Sequence, residues 1–209
     1  DIFYFVAGLV LTFLTLAVPV QFEGNWVTLI WAIEAAIMFW IGRTKSFQVY
    51  EKLSYPLIVL AFISLLHDWN NTYHELYYYT YNYAEEFTLF LNIQFVTSVM
   101  VASCLALILW ISFRKQYSSP YSPQSGIFKI FTFGLPLLLL IVVYLGMFKE
   151  IEAFWNQRYG ESGILLRADY GEYTKYDEDL LNFKTLWLIN YSALFAIALA
   201  FIQMPFIKS

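Results

Sequence analysis

One acid stands where acids are rare. Glu34 lies in Trp31-Ala32-Ile33-Glu34-Ala35-Ala36, midway along an apolar run from Trp26 to Ile41. At 1.5 Å per residue, a helix there places it about 12 Å from either end. A charged side chain at such depth in a bilayer costs roughly 2.5–3.5 kcal/mol on insertion scales. No Lys or Arg occupies the middle of any other apolar run. Glu34 is therefore protonated, hydrogen-bonded to neutral partners or open to a water-filled cavity. The polar residues available to it are Asn92, Gln94, Thr97, Ser98, Asn190 and Ser192. The fourth and sixth apolar runs supply them, and Gln94 and Asn190 join Trp31 and Glu34 in the expected intramembrane polar site. Two roles fit. One is a proton-coupling or solute-binding carboxylate. The other is an interhelical hydrogen bond that fixes packing, worth about 0.6 kcal/mol on average. Ala32 and Ala36 form a small-xxx-small pair that favours close packing in either case. Trp31 and Met38, at i−3 and i+4 from Glu34, are expected on the same interior seam.

A second group is His67-Asp68-Trp69-Asn70-Asn71-Thr72-Tyr73-His74-Glu75, which holds both histidines, each followed by an acid. Seven residues is two helical turns, so on a helix His67, Asp68, His74 and Glu75 could share a face and ligate a metal. The spacing matches no established metal motif, however, and Asn70-Asn71 favours a turn. A wet outer loop is the expectation, and no metal is assigned. A His–Asp pair can also serve acyl or phosphoryl transfer, but no activated Ser or Cys accompanies it. The run Tyr77-Tyr78-Tyr79-Thr80-Tyr81-Asn82-Tyr83 suits sugar stacking or, better, the headgroup level of a bilayer.

Segment 149–185 mixes Arg158, Arg167 and Lys175 with many acids and includes Asp177-Glu178-Asp179. It follows no EF-hand spacing and reads as a solvated outer segment. Its start, Glu150 to Trp155, could continue the fifth helix outside the membrane. The single cysteine, Cys104, sits in an apolar run and reads as a small buried hydrophobe. There is no phosphate-binding Gly loop, no Gly-x-Ser-x-Gly and no Cys-x-x-Cys. No catalytic residue, cofactor or small-molecule ligand is assigned.

The elements that position these residues follow from composition. Hydrophobic residues make up 60% of the 209-residue chain and charged residues 13%, against roughly 25% charged in soluble domains. A soluble chain of this length could not hide so much apolar surface in one core. A lipid bilayer as partner removes the difficulty. The net charge of −4 excludes a basic nucleic-acid footprint.

Six apolar runs can be read: Ile2 to Val18 closed by Pro19, Trp26 to Ile41, Tyr55 to Leu66, Phe87 to Phe113, Ile127 to Phe148 and Leu186 to Ile207. The third is too short for a span of about 20 residues. Its helix must start near Phe47, with Glu51 and Lys52 snorkelling to the interface. Continuous runs such as Leu135 to Val143 do not alternate, so a barrel is excluded. The fold class expected is an all-α polytopic transmembrane bundle of about six spans, forming one domain over 1–209.

Charge orients the bundle. Segment 42–54 carries Arg43, Lys45 and Lys52, and segment 114–129 carries Arg114, Lys115 and Lys129. The positive-inside rule places both in the cytoplasm. Both ends of the chain then lie there too. The result is three hairpins that open outward, with Trp26, Trp69 and Trp187 at outer ends and Trp40 and Trp110 at inner ends. Segment 118–126 reads as a flexible cytoplasmic turn. No internal repeat is visible.

The stretch from Ala17 to Ala36 resembles a bacterial family of predicted membrane proteins, domain of unknown function 2339. Shared features are Pro19-Val20-Gln21-Phe22, the Trp26–Thr28 pair and Trp31-Ala32-Ile33-Glu34. Val20 stands where the family usually has Leu. The resemblance covers about 20 residues. It marks Pro19, Gln21, Trp31 and Glu34 and implies a bacterial inner-membrane location and a long polytopic parent chain, whose remaining helices would be partners. It promises no activity. The opening Asp1-Ile2-Phe3, without Met, also leads us to expect a longer parent.

Three functions follow as expectations. The first is a structural or solute-handling module without catalysis in this segment. The second is a proton-coupled transporter using Glu34. The third is a membrane-embedded transferase for an envelope glycan or lipid, with His67, Asp68 and the tyrosine run at its mouth, which a groove joining His67, Asp68 and Glu23 would favour.

Overall fold

A computed structural model describes residues 2–79, 88–114, 116–117, 126–168 and 171–207. The order is α1 (Ile2–Gln21), α2 (Asn25–Thr44), α3 (Gln48–Tyr79), α4 (Ile93–Ser112), α5 (Gly126–Glu161), β1 (Ile164–Ala168), β2 (Gly171–Lys175) and α6 (Asp179–Ile207). The chain is mostly helical, and five of the helices, α2 to α6, are long and apolar enough to cross a membrane. Helix α1 adds a shorter apolar stretch, Thr12–Gln21.

Most of the helices outrun the apolar runs that announce them, whereas α4, Ile93–Ser112, is shorter than its run, Phe87 to Phe113. Helix α3 begins at Gln48, ahead of Tyr55 as the span length requires, and continues through Asn70-Asn71 to Tyr79. The expected turn at Asn70-Asn71 is therefore helical. Asn disfavours a helix by well under 1 kcal/mol per residue, and packing on both sides outweighs that. Helix α5 has 36 residues, about 54 Å at 1.5 Å per residue, so Glu150 to Trp155 do continue the fifth helix. Pro19 does not close α1, which runs on to Gln21. So near the C-terminal end, the proline terminates little.

The chain divides into two compact units. The first comprises Asp1–Asn70 and Ile93–Val143. In it, α2 packs against α4 and, more lightly, α1. The buried face of α2 includes Ala32, Ala35 and Ala36, small residues that let a neighbouring backbone approach closely. Phe39, Leu65, Ile108 and Ile111 are the largest fully buried apolar side chains. The α2–α3 connection is only Lys45 to Phe47, with Ser46 at φ 59°. The helices beside it nearly touch. A Cβ built on Gly42 would lie 2.6 Å from the Glu51 backbone nitrogen.

The second unit comprises Asn71–Asn92 and Tyr144–Ser209. It contains the only strands among the described residues, an antiparallel hairpin pairing Ile164 with Lys175 and Ala168 with Gly171. The all-α expectation missed this hairpin. Arg167 and Glu172 face each other across it at 2.6 Å, a cross-strand pair of opposite charge. Further along, Tyr144 stacks on Tyr191, and Trp155 stacks on Phe183, joining α5 to α6.

Candidate functional site

Burial of a carboxylate among apolar helices is tolerated when other groups replace its hydration. Four acids within the long helices meet this demand in four different ways, and the comparison isolates one of them.

Glu51 is fully buried. The guanidinium of Arg43 lies 2.9 Å from its Oε2, and the Tyr55 hydroxyl donates to its Oε1 at 2.7 Å. Arg43 itself is only 8% exposed. It also donates to the Tyr117 carbonyl at 3.1 Å and lies over the Phe39 ring. The expectation that Glu51 snorkels is corrected: it turns inward to a cation on α2, and only Lys52 is exposed. Beside this pair is a cavity of about 130 Å³, lined in part by Arg43, Tyr55, Ser112 and Phe131.

Asp68 is 5% exposed. Thr28 Oγ1 lies 2.6 Å from its Oδ2 and 2.6 Å from Ser64 Oγ. A hydroxyl has one proton and a carboxylate only accepts. Thr28 therefore donates to Asp68, and the Ser64 hydroxyl donates to Thr28. One residue on, Trp69 donates to Ser98 Oγ at 2.9 Å, while Ser98 donates to the Gln94 carbonyl. Trp69 is thus buried in a helix seam and leaves the interfacial belt expected for it. Trp26, Trp40, Trp110 and Trp187 are all exposed, as belt residues would be.

Glu150, in the second unit, is also fully buried. It accepts from the Tyr73 hydroxyl at 2.9 Å, the Phe90 N–H at 3.1 Å and the Asn92 amide at 2.7 Å. These neutral donors hold the turn around Phe90, whose φ is 64°. Reading Glu150 as part of a solvated segment is therefore wrong. A signal existed: Val142, Gly146, Glu150 and Ala153 are all buried, at helical spacing, so the inner face of α5 continues through the acid. Glu51 could have been found likewise, by extending the stripe of Leu65, Ala61, Ile58 and Ser54 back one turn.

Glu34 differs from the other three. Its Oε1 accepts from Thr15 on α1 at 3.2 Å. Its Oε2 is buried and makes no hydrogen bond among the described residues. Trp31 donates its ring N–H to the Thr15 carbonyl at 3.2 Å, so Trp31, Glu34 and Thr15 form one α1–α2 seam. Met38 is buried.

The expected partners from the fourth and sixth helices are not the ones found. Gln94, Thr97 and Ser98 are buried on α4, where Ser98 serves Trp69. Asn190 belongs to the second unit and is exposed. Thr15 carries no signal of its own in the sequence, being a threonine within an apolar run.

The remaining residues scatter. His67 is exposed and its neighbour Asp68 is buried. Glu23 is exposed. The side chains of His74, Glu75 and Tyr77 to Tyr79 lie outside the described residues, as do Thr80 to Tyr83 and most of the turn 118–126. Pro19 and Gln21 are exposed at the end of α1. Among the described residues no group of three or more His, Cys, Asp and Glu side chains could hold a metal ion. Asp177, Glu178 and Asp179 are exposed and border an open groove of about 880 Å³ with Tyr159, Tyr173 and Tyr176.

No family model matches the chain, and no curated protein or solved structure matches it either.

Proposed function

We propose that the chain is a multi-pass module of a bacterial cytoplasmic membrane, structural or solute-handling, with no catalysis in this segment. The observation that carries this reading is the use made of its buried acids. Glu51, Asp68 and Glu150 are each committed to donors on neighbouring segments, which is how polar groups fix helix packing in an apolar surround. We place α1 as a sixth span and the segments around Lys45 and Arg114 on the cytoplasmic side, by the positive-inside rule. The 17–36 resemblance to domain of unknown function 2339 supports the bacterial membrane assignment.

A second reading, proton-coupled transport, has one specific observation in its favour. Glu34 retains a carboxylate oxygen without a partner among the described residues, in the middle of α2. A proton or cation arriving there would find an acceptor that no packing bond uses.

Replacing Glu34 by Gln separates the two. Infrared difference spectra of membranes across a pH series would report a protonated carboxyl by its carbonyl stretch. A packing role predicts no band that is lost in E34Q, and a melting temperature close to wild type. A titrating band present in wild type and missing in E34Q would replace the first reading with the second.

A further inference from the structure

The cavity of about 130 Å³ beside Arg43 lies wholly within the first unit. It is close in size to an engineered apolar cavity of roughly 150 Å³ that takes up benzene. Pockets for larger ligands begin at roughly 300 Å³. Its occupant is therefore small.

Helix direction gives the cavity a polar end and an apolar end. Arg43 and Ser112 line it from the last turns of α2 and α4, and Thr132 from near the start of α5. Phe39, Leu109 and Leu135 line the same cavity. Each lies one turn further from its helix end, about 5 Å deeper.

Arg43 selects the head group. A guanidinium has five N–H donors and no acceptor. Its Nε faces Glu51 and its Nη1 donates to the Tyr117 carbonyl, while Nη2 makes no hydrogen bond among the described residues. The Ser112 hydroxyl already donates to the Ile108 carbonyl. What the polar end lacks is an acceptor for Arg43. Charge narrows the choice further. Glu51 balances Arg43 at 2.9 Å, so a second anion would stay uncompensated in a buried site, which is strongly disfavoured. A carbonyl or hydroxyl oxygen accepts without adding charge.

We propose that this cavity binds a small neutral amphiphile, a ketone or alcohol about the size of benzene. Its oxygen accepts from Arg43 and its apolar body lies among Phe39, Leu109 and Leu135. The inference gives the solute-handling reading above a ligand class and rests on it.

The test is ligand protection of a cysteine in the full chain, in carbonate-washed membranes, with Cys104 replaced by Ala. Loss of the chain from washed membranes would fail the membrane reading itself; retention leaves the cavity as the thing tested. The reagent is methyl methanethiosulfonate, which is small and neutral. Cyclopentanone should slow its reaction at S112C and leave the reaction at S103C, on an exposed face of α4, unchanged. Methylenecyclopentane, the same shape without the oxygen, should protect far less, and so should the anion butyrate. R43M/E51L removes the donor and leaves no charge behind, so the protective concentration of cyclopentanone should rise about tenfold or more. E51Q leaves Arg43 unbalanced, so butyrate should now protect S112C. Equal protection by methylenecyclopentane, undiminished protection in R43M/E51L, or protection of wild-type charge by butyrate would each overturn the proposal. So would an S112C thiol that no probe protects or that the reagent never reaches.

Discussion

The guanidinium of Arg43 and the carboxylate of Glu51 meet at 2.9 Å across the α2–α3 turn, both side chains buried. Three residues, Lys45 to Phe47, separate the two helices, so the pair staples a hairpin that has almost no loop. Stranding one partner of a buried pair costs about 3–5 kcal/mol, whereas replacing both with apolar groups of similar size is often neutral. We expect R43A to melt well below wild type in detergent and the double variant R43M/E51L to recover most of the loss. An R43A protein as stable as wild type would mean that the pair contributes nothing to the hairpin.

Two glycine substitutions, one beside this turn and one within α5, should have opposite signs. A methyl group at Gly42 would sit 2.6 Å from the Glu51 nitrogen and 2.9 Å from its Cβ. Backbone cannot retreat cheaply, so G42A should destabilise by about 1–3 kcal/mol, as overpacking does. At Gly134 a Cβ meets nothing within 4 Å. G134A should be neutral or stabilise by roughly 0.5–1 kcal/mol through helix propensity. Thermal melts of the two variants side by side would check this. Equal shifts of one sign would contradict the packing described at Gly42.

Glu150 and Glu34 should respond differently to the same change. Glu150 receives three donors, and a Gln there replaces one acceptor oxygen by an NH₂ that faces donors. One or more buried donors is left unmet, at about 1–3 kcal/mol. Glu34 receives one donor, from Thr15, and Gln can keep it. E150Q should therefore lower the melting temperature more than E34Q, and faster amide exchange at Phe90 should accompany it. If E34Q proves the more damaging, the ranking of the two sites is wrong.

The proposed orientation can be read from outside the cell. In a Cys104→Ala background, a cysteine at Lys45 should stay unlabelled by an impermeant maleimide in intact cells, and one at Glu178 should label. Labelling at 45 with protection at 178 would invert the topology.

Hydropathy alone determined which stretches of this protein are helical, though not where each helix ends. A run of apolar residues is a statement about transfer into lipid, and it is nearly independent of what the neighbours are. That is why Trp26 to Ile41 reads as a helix without knowledge of the fold. The short run from Tyr55 to Leu66 likewise demanded a start near Phe47 once the span length was set against it. The same reasoning allowed the fifth helix to run past Phe148. The partners of the polar residues were decided only by the tertiary structure. Glu51, Glu150 and Trp69 look like interface residues when judged by position along a run, because hydropathy has no term for a neighbour. Rotation and packing of the helices brought Arg43 to Glu51, Ser98 to Trp69 and Asn92 to Glu150. The same packing gave Glu34 the hydroxyl of Thr15 in place of the amides of Gln94 and Asn190. A hydrogen bond depends on distance and angle between two side chains far apart in sequence, and that geometry exists only after the helices have met.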